Sequence, residues 1–116
     1  MKIFHLSIAV KSLDESIKEY SQKLGCEPCV VIEERYALWR NDILNFSISQ
    51  KPEIAGQVRH VGFENSDAQN FTETHDCNGL MWEEFTAEMQ MQEIKRLEIL
   101  RYKFCIFLTI KHDLIK

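Results

Sequence analysis

The feature that most constrains this chain is a repeated local pattern, a histidine-bearing strand followed by a serine helix cap and then a glycine stop. Phe4-His5-Leu6-Ser7-Ile8-Ala9-Val10 alternates apolar with small or polar residues, the period of a strand whose two faces meet different surroundings. Phe4, Leu6, Ile8 and Val10 share one face; His5, Ser7 and Ala9 share the other. Ser12 then offers an N-cap with Glu15 three residues on, and Leu13, Ile17, Tyr20 and Leu24 recur at helical spacing before Gly25. After the punctuated stretch from Lys51 to Gly56, Val58-Arg59-His60-Val61-Gly62-Phe63 again reads as a strand, and Ser66-Asp67-Ala68-Gln69 again reads as a cap. His5 precedes Gly25 by 20 residues and His60 precedes Gly79 by 19, so the segments superimpose with one gap.

Between the two copies, Cys29–Glu33, Tyr36–Trp39 and Ile43–Ser49 read as three strands, giving a βαβββ order over residues 1–50. The second copy, residues 57–116, departs from the first. Leu80–Phe85 fits a strand, Ala87–Leu100 has helical spacing behind a Thr86 cap, and the β-branched and aromatic residues of Tyr102–Lys111 predict a last strand. The expected class is α+β, one domain over residues 1–116 built of two βαβββ units, the second atypical with an extra C-terminal helix.

The 116 residues are 45% hydrophobic and 28% charged, enough for one core without a disulfide or structural metal. The net charge is −4 with basic residues scattered among acidic ones, which argues against nucleic acid as a partner. The longest apolar run, around Phe104–Ile110, is too short to span a bilayer, and Met1–His5 lacks the apolar stretch of a secretory signal. No membrane association and a cytoplasmic location are expected, with Cys26, Cys29, Cys77 and Cys105 as thiols. Cys26-Glu27-Pro28-Cys29 follows a helix rather than opening one, so the dipole that activates redox pairs is absent, and ordinary thiols are expected.

The order of Phe4-His5-Leu6-Ser7-Ile8-Ala9-Val10, the helix Leu13–Tyr20 closed by Leu24-Gly25, and Arg59-His60-Val61-Gly62-Phe63-Glu64 resembles the vicinal oxygen chelate superfamily. That superfamily joins glyoxalases, bleomycin-resistance proteins and extradiol dioxygenases. The resemblance covers roughly residues 1–85. It implies paired βαβββ units forming a cupped mixed sheet around a divalent metal, with ligands on the first strand of each unit, where His5 and His60 stand. Neutral imidazoles suit zinc, nickel, iron or manganese, and an open catalytic site needs a third ligand, usually a carboxylate.

The family often draws that acid from the fourth strand of the first unit, where Asn45 stands here with Ser47 and Ser49 on its face. Its other frequent source is the last strand of the second unit, and Tyr102–Lys111 contains no acid, which leaves Glu64, Glu83 and Glu84. Two functions follow from the resemblance. One is a metal-dependent lyase, isomerase or dioxygenase acting on a small oxygenated substrate, with Glu83 or Glu84 moving a proton. The other is a non-catalytic, bleomycin-resistance-type module that binds a small molecule in a pocket lined by Asn45, Ser47, Trp39 and Trp82. Against both stands the plainer expectation that the histidines are satisfied by hydrogen bonds and that the tryptophans are core. The incomplete second unit predicts a homodimer, with swapped units as the resemblance suggests.

Overall fold

The computed structural model describes residues 1–98. By contacts the chain divides into one compact unit from Met1 to Thr86 and a second from Ala87 onward. In the first unit, strand β1 (Lys2–Val10) leads into helix α1 (Leu13–Leu24), followed by β2 (Val30–Ile32), β3 (Tyr36–Arg40) and β4 (Asn45–Gln50). A 3-10 turn at Pro52–Ile54 precedes β5 (Val58–Asn65), β6 (Thr72–His75) and β7 (Met81–Phe85). Among the described residues, these seven strands form one mixed sheet in the order β2-β3-β4-β1-β5-β7-β6.

Helix α1 forms where its caps predict. The Ser12 side chain accepts from the Glu15 backbone N–H, Asp14 and Glu15 sit at the positive end of the helix dipole, and Lys23 sits at the negative end. Gly25 ends the helix in the left-handed region at φ 73°, its N–H donating to the Ser21 carbonyl. The Leu13 N–H, one of the donors left over at a helix start, is taken by the Gln50 side chain of β4 at 2.8 Å. Leu13 joins Val10, Ala37, Trp39 and Ile48 in a buried cluster, against which Ile17, Tyr20 and Phe46 pack.

β1 is the hinge of the topology. It pairs in parallel with β4 and antiparallel with β5, and β5 in turn pairs in parallel with β7. β4 pairs antiparallel with β3 on its far side, and β7 pairs antiparallel with β6 on its far side.

The helix expected after Ser66 does not form. The chain turns and bends over residues 66–70, and β6 occupies part of the stretch where the serine cap predicted α-helix, so His75 ends a strand. The reason is visible in the side chains. Positions matching Leu13, Tyr20 and Leu24 are polar here, leaving Phe71 as the one large apolar residue, so no stripe exists to bury a helix. Asn65 instead turns the chain, its side-chain oxygen accepting from the Asp67 N–H and its carbonyl from the Ala68 N–H. Without a helix over this half, Phe4 is 51% exposed and meets Phe63 edge-on, while Trp82 stacks at a tilt on Phe63.

The unit beginning at Ala87 is helical through residue 98, in keeping with the spacing of Ala87, Met91 and Ile94. The strand expected at Tyr102–Lys111, with Cys105, lies outside the described residues. No helix among the described residues is long and apolar enough to cross a membrane.

Candidate metal centre

The strand register lines five residues across the sheet in one row: Arg40 on β3, Asn45 on β4, His5 on β1, Gly62 on β5 and Glu83 on β7. Paired residues in a sheet project to the same face, so these side chains share a side. His60, two residues from Gly62, and Ser7, Ser47 and Leu38 form the neighbouring row on that face. This is the more buried side of β1 even though it carries the polar residues. His5 is 2% exposed and Ser7 wholly buried, as are Asn45 and Ser47 to within 1%.

Three donors converge there. His5 Nε2 lies 3.0 Å from His60 Nε2, which lies 3.2 Å from Glu83 Oε1. One ligand atom from each of His5, His60 and Glu83 falls within 4.8 Å of the others. Ligands at roughly 2.0–2.2 Å from a shared divalent ion stand about 3 Å or a little more from one another, so the set fits one cation. Gly62 permits the approach of the strands. A Cβ on it would stand 1.8 Å from the Glu83 carbonyl oxygen.

The surroundings keep the imidazoles neutral. Burial lowers the His5 pKa, opposed by hydrogen bonds to Asn45. His60 is lowered to about 4, first by burial and then by the positive charge that His5 and Arg59 would bring. At neutral pH the His60–Glu83 contact is therefore a hydrogen bond from a neutral ring rather than an ion pair, despite its salt-bridge distance. Neutral imidazole is the form a cation needs. His60 Nδ1 and Ser7 Oγ, on residues paired in register, are buried without a hydrogen-bond partner among the described residues.

Neutral histidines in the fold meet protonatable ones in the unfolded chain, so the unfolded state takes up more protons as pH falls from the usual 6.5 towards about 4. Stability must fall across that window. Glu64, held below the usual carboxylate range chiefly by its hydrogen bond from Arg40, adds a further loss as pH drops through its lowered value. The metal-free protein is expected to lose several degrees of Tm between about pH 7 and about pH 5, and His60→Gln to lose less. A flat wild-type melting profile over this range would contradict the neutral pair.

The residues singled out from the sequence divide sharply. His5, His60, Glu83, Asn45 and Ser47 share one face. Glu84 does not: it alternates to the opposite face, where the Asn65 amide donates to it and Lys2 lies 3.8 Å away. Trp39 also lies on the opposite face from His5, level with Phe46 and Leu6, wholly buried in the core beneath α1, and its indole N–H donates to the Cys26 carbonyl. Trp82 flanks Glu83 on the reverse side and donates to Asp76 at 2.9 Å. Both tryptophans are thus packing residues in this fold rather than neighbours of the histidines. The Cys26 and Cys29 thiols are free and exposed.

Asn45 holds the place where the resemblance leads one to expect an acid, and its role is different. Its side-chain oxygen lies 2.8 Å from His5 Nδ1, and its amide nitrogen donates to Glu64 at 2.9 Å. Glu64 is also gripped by two nitrogens of Arg40, at 2.7 and 2.8 Å, which removes it from the contest for third ligand. Asn45 stands behind the group of His5, His60 and Glu83 that could hold an ion. The expected last strand Tyr102–Lys111 lies outside the described residues; among those described, Met81–Phe85, which carries Glu83, runs parallel to β5 as β4 runs parallel to β1.

No family model matches the chain. A curated protein, a trivalent organoarsenical cleaving enzyme from Bacillus sp. (strain MD1), is 37% identical over 67 residues, which cover 55% of this chain and 41% of that enzyme. The match thus spans less than half of the relative's length.

Proposed function

We propose that this protein is a metal-dependent enzyme of the vicinal oxygen chelate type, in which His5, His60 and Glu83 hold one divalent cation. The observation that carries the reading is the convergence of these three donors from three strands on one buried face. Two imidazoles and one carboxylate occupy one side of a cation and leave further positions for substrate, the arrangement used by non-haem iron(II) oxygenases and, with zinc, by hydrolytic centres. Bound there, the cation would act as a Lewis acid on an oxygen of a small substrate. The chain's own contribution is to hold both rings neutral and to supply a carboxylate from β7. The likeness to an organoarsenical cleaving enzyme supports small oxygenated compounds, with trivalent organoarsenicals among them, as the substrate class to test first.

The test is an anaerobic titration of untagged protein with iron(II), manganese, nickel and zinc, followed by assay of the loaded protein on a trivalent organoarsenical. One equivalent of ion is expected, and none in His60→Ala. Absence of stoichiometric uptake of all four by the folded wild type would sink the proposal.

The competing reading, a bleomycin-resistance-type binding module, draws on an amide standing in the place of an acid. Asn45 engages His5 and Glu64, so that support weakens. It predicts ligand stabilisation indifferent to chelators. A homodimer is part of the proposal. β6 is an edge strand exposed along its whole length, and Phe4 on β1 and Val58 on β5 are about half exposed, features that a second copy would cover. A monomer by light scattering at micromolar concentration would contradict it.

A further inference from the structure

We infer that Arg40, Glu64 and Asn45 form a positioning relay that fixes His5 as its Nδ1–H tautomer, so that Nε2 offers a bare lone pair to the centre. The heavy atoms alone dictate the tautomer. Glu64 is an ionised carboxylate clasped by Arg40 Nε and by a terminal guanidinium nitrogen, so it accepts hydrogen bonds and donates none. The Asn45 atom facing it must therefore be the amide NH2. That orientation turns the amide oxygen towards His5 Nδ1, and the Asn45 backbone carbonyl lies 3.2 Å from the same nitrogen. Two acceptors converge on Nδ1, so it carries the hydrogen.

The relay starts at a partly exposed guanidinium and ends on a ring that is 2% exposed, crossing β3, β5, β4 and β1. Because Asn45 is an amide, it passes orientation along the chain of bonds without passing a proton. His60 supplies an internal contrast. Its Nδ1 has no partner among the described residues, while Glu83 and the bare His5 Nε2 both lie against its Nε2, so its hydrogen sits on Nε2. His5 presents a bare Nε2, whereas His60 would have to shift its hydrogen to Nδ1 to offer one. Supporting partners of this kind commonly change metal affinity by about 10- to 100-fold when removed.

The purpose of the relay rests on the proposed metal centre, but its existence does not, and the experiment separates the two. Ring-nitrogen NMR of the metal-free protein at neutral pH reads each histidine tautomer directly. The expected result is a single Nδ1–H form for His5. Glu64→Gln, whose amide can donate or accept, frees Asn45 to turn, and His5 is expected to become a mixture. Arg40→Gln reaches the same relay from its exposed end should Glu64→Gln fail to fold, and Arg40→Lys, which keeps the charge, is expected to restore most of the preference. Zinc affinity is expected to fall about 10-fold in the mixed-tautomer variants. An Nε2–H form of His5 in the wild type overturns the relay, as does an unchanged single tautomer in both Glu64→Gln and Arg40→Gln. Failure of the wild type to bind zinc would count against the metal centre alone.

Discussion

Replacing Gly62 by alanine is expected to break the β5–β7 pairing, with a stability loss of about 3 kcal/mol or more. A Cβ at this position would meet the Glu83 carbonyl oxygen at 1.8 Å and its carbon at 2.7 Å, both rigid backbone atoms with no side-chain rotation to relieve them. β7 must move away, and Glu83 moves with it. Gly79→Ala is the control. Gly79 sits in the left-handed region at φ 80° with nothing within 4 Å of an added methyl, so its substitution costs only backbone strain of about 1–2 kcal/mol. Thermal and denaturant unfolding of the two variants measure the difference. A Gly62→Ala protein no less stable than Gly79→Ala would mean that β5 and β7 do not approach as described.

The second large effect concerns two adjacent glutamates of opposite fate. Glu83→Ala removes one of the three converging donors and is expected to weaken divalent-cation binding by more than about 100-fold, beyond the usual effect of losing a supporting partner. Glu84→Ala is expected to leave affinity within about threefold, because Glu84 faces Asn65 and Lys2 across the sheet. Calorimetric titration of the pair decides the register of β7, since a slip by one residue would exchange the roles of the two acids. The reverse pattern would overturn the placement of Glu83.

Much of the first half was legible in sequence because its signals are local. The Ser12 cap, the Leu13–Leu24 stripe and Gly25 each act within a few residues, and the alternation along β1 separates His5 from Leu6 before any pairing is known. The second half misleads where a local signal lacks its partner. Ser66 resembles a cap, but a cap adds about 1 kcal/mol to a helix that packing must already favour, and residues 66–79 have almost nothing to pack. Glu83 could not be told from Glu84, and the core was only the plainer of two readings for Trp39, because which alternate face looks at His5 depends on pairings between strands far apart in sequence. Asn45 is legible as a member of the histidine face, but its company is not: its partner Glu64 arrives from a strand 19 residues later.

The placement of β1 at the centre of the sheet also has a temporal consequence. His5 and His60 are separated by 55 residues, and Glu83 arrives on β7, the last to be synthesised of the described strands. The loops joining them must close before all three donors can meet, so a cation would find its full ligand set only in a nearly native chain. Binding of that kind deepens the native well while leaving the early folding barrier almost untouched. Metal would then lengthen the lifetime of the folded protein without hastening its formation, acting as a late clasp on strands that the backbone has already assembled.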